Sequence, residues 1–304
     1  MKLGIALPQI GEWATPENIV KVAQRAEELG YNSLWVLERL LWPLKPKNPY
    51  PATPDGNLPK QYQYVLDPIV TLTYAAANTK RIRIGTSVLI MPYHTPILLS
   101  KQLSTLDVMS GGRFDCGLAV GWSEDEYEAS NTPHENKGDR ADEFLKCLKV
   151  IWTEDEPEFH GRFYQLPKSK VNPKPVQKPH PPITIGGFNP RAIRRAVTLA
   201  DGYNGVISPI DQMIEIVTGL KQTAQAGGRD VSELQFVYHA NNIQLQEESL
   251  ETGRYPLVGT KEDIKDDLSR CQEIGITEII FDLNFQSDIT TDKLFYVMEQ
   301  LRPG

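Results

Sequence analysis

Two hydrophobic rhythms alternate along this chain. Short apolar runs rich in β-branched residues alternate with longer stretches whose apolar residues recur every three or four positions. Leu3 to Leu7 predicts a first strand. Thr15-Pro16-Glu17 supplies a capping residue, a proline at the first helical position and an early acid. The helix they open carries Ile19, Val22, Ala23, Ala26 and Leu29 on one face and stops at Gly30. Ser33 to Leu37 predicts strand two, and Asp67-Pro68 caps a helix to Asn78. Arg81 to Trp122 reads as strand, helix and strand. Its apolar run Ile82, Ile84, Val88 and Leu89 is interrupted by the small residues Gly85, Thr86 and Ser87. Pro96 opens the helix, Ser110-Gly111-Gly112 closes it, and Phe114 to Val120 returns as a strand ending at Gly121-Trp122. Such a βαβ unit places its two strands parallel and side by side. The rhythm continues through strands at Ile183–Gly187, Tyr203–Ile207, Leu234–Ala240 and Glu278–Leu283, each followed by a helical pattern.

Eight strands, each followed by a helix, predict an α/β chain folded as a single-domain (β/α)8 barrel over residues 1–304. A doubly wound open sheet is the alternative, but no G-x-G-x-x-G follows the first strand. Two insertions break the alternation. The proline-rich stretch from about 40 to 67 follows strand two and carries Trp42, Tyr50, Tyr62 and Tyr64, which favour a packed lid or binding loop. The stretch from about 154 to 182, between strands four and five, holds a hairpin over Glu158–Leu166 and a proline-rich tail.

Composition narrows the partners. With 304 residues, 40% of them hydrophobic, the chain can bury a large core, and its net charge of −7 argues against nucleic acid. Its N-terminus is too short an apolar run for a signal peptide, and no window approaches a membrane span, so a cytoplasmic protein is expected. Cys116, Cys147 and Cys271 read as reduced core cysteines. The five histidines form no spaced ligand pair, and no metal is expected.

A barrel gathers its chemistry at the C-terminal ends of its strands. That rule selects Pro8, Glu38-Arg39, Ser87-Val88, Gly121-Trp122, Gly186-Gly187-Phe188 and the neighbourhoods of Ser208 and Asn241. Gly186-Gly187 followed by Asn189-Pro190 allows backbone N–H groups and a helix N-terminus to meet an anion, or is an ordinary strand-to-helix turn. Trp122 is either a wall for a ring-shaped ligand or core packing. Glu38 serves as an acid if buried, whereas Arg39 stays charged and suits an anion or a carbonyl; the two also suit a salt bridge at the barrel mouth. Tyr93 and His94 lie within reach of the same mouth, or pack a loop. The acidic run Glu124-Asp125-Glu126 reads as a solvated helix start.

The wording GTSVL, then KQLSTLDVMSGGRF, then GLAVGW, with IGG after HPP, resembles the luciferase-like flavin and deazaflavin oxidoreductases, and the match extends over nearly the whole chain. Within that superfamily it is most similar to the F420-dependent oxidoreductases. The resemblance implies a non-proline cis peptide at Ser87–Val88 supporting the cofactor ring. Pro8, Gly121, Trp122, Gly186, Gly187 and Phe188 would complete the cofactor site, and Glu38 and Arg39 would orient a small organic substrate. It implies F420-dependent hydride transfer, with two alternatives: an FMN-dependent monooxygenase served by a flavin reductase, and a non-catalytic flavin-binding protein. Many relatives carry histidine where this chain has Arg39, so their proton relay does not transfer directly. Arg191, Arg194 and Arg195 are candidates for the carboxylate-bearing tail of F420, and a homodimer is expected.

Overall fold

Parallel pairing runs unbroken around one sheet. In the structure, a computed structural model describing residues 1–249 and 253–303, the strands are β1 (Lys2–Ala6), β2 (Ser33–Val36), β3 (Arg83–Thr86, continuing as Leu89–Ile90), β4 (Phe114–Ala119), β5 (Ile183–Gly186), β6 (Gly202–Val206), β7 (Gln235–Ala240) and β8 (Glu278–Phe281). Each pairs with the next, and β1 pairs with β8, Lys2 beside Glu278, which closes an eight-stranded parallel barrel. The helices are α1 (Pro16–Glu28), α2 (Pro68–Ala77), α3 (Pro96–Ser110), α4 (Glu124–Ala129), α5 (Lys137–Thr153), α6 (Pro190–Thr198), α7 (Ile210–Ala226), α8 (Lys261–Ile274) and α9 (Thr291–Gln300). The (β/α)8 architecture expected from the alternating rhythms is the observed one. The insertion after β2 contains one 3-10 turn at Lys60–Gln63, and the second pairs Phe159–His160 antiparallel with Gln165–Leu166.

Two packing layers follow from the two rhythms. Large aliphatic residues of the strands, such as Ile5, Leu34, Ile84 and Ile279, join helix residues in the main core between barrel and helices. The barrel interior is smaller: Trp35 fills it with Ala6, Val237 and Ile280. A side chain on Gly4 or Gly85 would strike the Trp35 ring at 2.7 Å or closer, so the indole fits because its neighbours have none. At the N-terminal end, Arg83 forks onto Asp115, with both bonds at 2.6 Å, and Trp35 Nε1 donates to Ser33 Oγ at 2.7 Å. The distinctive Ser110-Gly111-Gly112-Arg113 also lies at this end. Gly111 caps α3 with a left-handed φ of 71°, and Arg113 donates to the Ala76 and Ile82 carbonyls, a folding role as the sequence indicated.

Strand β3 breaks at Ser87-Val88, where the peptide bond is cis. Thr86 Oγ1 donates to the Gly117 carbonyl at 2.8 Å and accepts from Gly117 N–H at 3.0 Å, so a side chain replaces part of the ladder beside the break. The cysteines are free and buried. Among the described residues no helix is long and apolar enough to cross a membrane, and no group of three or more His, Cys, Asp or Glu could hold a metal ion.

Candidate active site

The break in β3 ties three polar clusters together at the C-terminal mouth. The first belongs to the end of β2. Glu38, 7% exposed, accepts from Ile90 N–H at 2.6 Å with one carboxylate oxygen and meets His94 Nε2 at 2.8 Å with the other. Its own N–H donates to the Val88 carbonyl at 3.2 Å. With the carboxylate accepting Nε2–H, the imidazole tautomer is fixed and Nδ1 is the basic nitrogen. That Nδ1 has no partner among the described residues, and the His94 side chain is partly exposed.

Arg39 faces away from Glu38, because successive residues of an extended chain project to opposite sides. The salt bridge between them that sequence adjacency allowed is not formed. The Arg39 guanidinium lies 5.2 Å from the Tyr62 ring centre and 5.0 Å from that of Trp122, and pairs with Glu126 at 3.2 Å. Its Nε is buried without an acceptor. The acidic run does start helix α4 with Glu124 exposed, but Glu126 corrects its reading as solvated. Glu126 is buried, accepting from Leu40 N–H at 2.7 Å and from the Tyr93 hydroxyl at 3.2 Å. Burial, reinforced by Glu126, pushes the Tyr93 phenol well above its ordinary pKa, which keeps it a donor.

The loop after β2 covers this cluster. Tyr50 packs on Trp122 with ring centres 5.3 Å apart and on Tyr62 at 6.0 Å. Asn48 donates to the Trp122 carbonyl at 2.7 Å and accepts from Glu124 N–H at 3.1 Å, and Lys47 N–H donates to Asp125 at 3.0 Å. The loop is thus fastened to α4 by directed contacts.

The second cluster lies inside the barrel top. Ser87 Oγ is 2.9 Å from Asn204 Oδ1 and 3.0 Å from His239 Nδ1, and His239 Nε2 is 2.8 Å from Asp282. Sequence reasoning missed Asn204, His239 and Asp282. Their signal was available: each is a polar residue in or just after an otherwise apolar strand, at the inward parity.

The third cluster lies beyond β5. Gly186 faces the bulge that the break at Ser87-Val88 makes: a side chain on it would be in ordinary contact with Val88 Cγ1, at 3.4 Å. Gly187 has a φ of 134°, and Asn189 caps α6 by accepting from Ala192 N–H at 2.9 Å. Neither Gly187 N–H nor Phe188 N–H has an acceptor among the described residues. Ser208 Oγ, past the end of neighbouring β6, is buried without a partner. Orphan donors beside a helix N-terminus fit the phosphate of a flavin-type cofactor. Phe188 is 66% exposed and Pro8 is buried at the end of β1.

Among the three arginines, the structure corrects one. Arg195 is buried, bonding Asp142 at 2.5 Å and the Gly138 carbonyl at 3.0 Å, so it is not free for a ligand tail. Arg191 and Arg194 are exposed, with carboxylates no nearer than 4.0 and 3.7 Å. Lys137, the first residue of α5, joins this side. Its ammonium reaches the Gly121 carbonyl at 3.4 Å, and burial lowers its pKa.

Comparison with known proteins bears on the family and the fold. An uncharacterized protein of Mycobacterium bovis is 31% identical over 285 residues, covering 92% of this chain and 91% of its own. The FMNH2-dependent dimethylsulfone monooxygenase of Pseudomonas putida is 34% identical over 166 residues, 53% of this chain and 46% of its own. An F420-dependent secondary alcohol dehydrogenase, solved with an F420–acetone adduct, superposes with a TM-score of 0.76 over 99% of both chains at 16% identity, a likeness of fold. The family described as luciferase-like monooxygenase matches residues 2–249, and with that match over a barrel carrying its chemistry at the strand ends, the chain belongs to the luciferase-like monooxygenase family.

Proposed function

We propose that this protein is an F420-dependent oxidoreductase that moves a hydride to or from a small alcohol or carbonyl compound. One observation carries the reading: the Glu38–His94 pair is bonded through Val88 to the same bulge that abuts the glycine turn with its orphan donors. Gly187, Phe188 and Ser208 would take the cofactor phosphate, and Pro8, Ser87, Val88, Gly186, Gly121 and Trp122 would hold its ring. Arg191 and Arg194, held only by carboxylates 4.0 and 3.7 Å away, and Lys137, 2.7 Å from His134 Nε2, put cations on the tail side, which favours a tail bearing carboxylates. When bound, the cofactor supplies the hydride acceptor.

The chain's own work is proton transfer and exclusion of water. As an alcohol carbon gives up its hydride and the carbonyl π bond forms, the hydroxyl proton passes to His94 Nδ1. Glu38 stabilises the resulting imidazolium. Arg39 holds Tyr62 and Trp122 as a wall, and its unpaired Nε is a donor left for a substrate oxygen. The fastened loop after β2 closes that wall against solvent.

A second reading, oxygenation by reduced FMN with a separate flavin reductase as partner, is favoured by the similarity to the dimethylsulfone monooxygenase. Anaerobic titration with F420 and with FMN separates the two.

We also propose a homodimer. Helices α2 and α3 pack side by side and expose Val70, Tyr74, Leu98 and Met109. Leu98→Glu is expected to convert the dimer to a monomer by light scattering without unfolding it. A monomeric parent protein would contradict the proposal.

A further inference from the structure

The buried carboxylate of Asp282 meets one imidazole among the described residues, His239 Nε2, at 2.8 Å. Both are almost wholly buried, Asp282 at 1% and His239 at 5% exposure. The other oxygen of Asp282 accepts from Asn284 N–H and Nδ2–H, each at 2.8 Å, and these donors are neutral. A charge so placed is costly unless compensated. On the other side, Ser87 Oγ has one proton and two acceptors in reach, Asn204 Oδ1 and His239 Nδ1. If Ser87 donates to Asn204, His239 must donate to Ser87 from Nδ1 while donating to Asp282 from Nε2. Every contact is then satisfied and the ring is an imidazolium.

We propose that His239 is the counter-ion of Asp282 beneath the redox site, and that it keeps this site able to accept the negative charge a hydride brings. The inference rests on the reading that a flavin-type ring lies over Ser87-Val88. A hydride is two electrons and one proton, so a neutral ring that takes one up becomes an anion. A neutral His239–Asp282 pair tolerates that anion. An uncompensated Asp282 carboxylate repels it. His239 is therefore a positioning residue whose effect differs between the two redox states of the ligand.

The test measures Kd for oxidised and for reduced cofactor, F420 and FMN each, on the wild type, His239→Gln, Asp282→Asn and the double variant, anaerobically. His239→Gln is expected to raise the ratio of reduced to oxidised Kd by about tenfold, the effect of a single modest charge interaction. The double variant, which has lost the carboxylate as well, should return the ratio to within about threefold of wild type. Equal weakening of both redox forms by His239→Gln, or no recovery in the double variant, overturns the counter-ion role. A wild type that binds neither cofactor overturns the functional reading and this inference with it, so the two failures are distinct. A second measurement needs no variant: the 15N shifts of His239 in the folded protein should report two protonated ring nitrogens. A neutral ring contradicts the proposal.

Discussion

Glu38→Gln is expected to lower kcat by about 10²- to 10⁴-fold, the span ordinarily supplied by one positioned acid–base group. The substitution keeps the shape of the site. A glutamine oxygen can still accept from Ile90 N–H, the 2.6 Å contact that seats the side chain, and the amide still reaches His94 across 2.8 Å. What is lost is the negative charge that fixes the imidazole tautomer and would stabilise the imidazolium. Cofactor affinity should therefore change by no more than about threefold while turnover collapses. His94→Gln should reproduce the loss, and the double variant should be little worse than either single one, because the two residues act as a unit. Steady-state kinetics with a direct binding titration separates these quantities. Unchanged kcat in Glu38→Gln would remove the pair from the chemistry.

The second large effect falls on the fold beneath the site. Gly117→Ala places a methyl group 1.9 Å from the Thr86 carbonyl oxygen, and both sides of the clash are backbone of paired strands. Nothing there can swing aside. The strands must part, and the reciprocal bonds between Thr86 Oγ1 and Gly117 go with them. A loss of about 3 kcal/mol is expected, at the upper end for overpacking. For a chain of this length that lowers Tm by roughly 5 °C. Because those bonds flank the Ser87-Val88 break, cofactor binding should weaken in protein that remains folded. A melting temperature within a degree of the parent would show that the strands are less tightly registered than described.

These residues also show how far the sequence could be read. The alternation of strand and helix was legible because each element carries its own periodicity, and a closed barrel then dictated which residues stand at the mouth. That rule put Glu38, Ser87 and Gly186 at the mouth, and the resemblance gave Ser87 and Gly186 their expected roles. The pairings were not legible, since the contacts join distant elements: His94, named only as a residue near the mouth, lies 56 residues from Glu38, and Asp282 lies 43 from His239. Adjacency misled in one place. Glu38 and Arg39 invited a pair, but extended backbone sends them to opposite sides, one to His94 and the other to Glu126. Glu126 looked solvated beside Glu124 and Asp125. Its burial depends on the covering loop, whose path no local pattern specifies. Arg195 looked free for the same reason until α5 placed Asp142 against it.

In the proposed function the mouth of this barrel holds F420 and serves hydride transfer. The most direct test is an anaerobic titration of the purified apoprotein with F420 and with FMN, each oxidised and reduced, followed by absorbance and fluorescence. The account predicts saturable binding of F420 at least tenfold tighter than that of either form of FMN, roughly 1.4 kcal/mol of discrimination from the cations on the tail side. Preference for reduced FMN would contradict it and move the assignment to an oxygen-using monooxygenase, and binding of neither would leave the barrel without the cofactor site described.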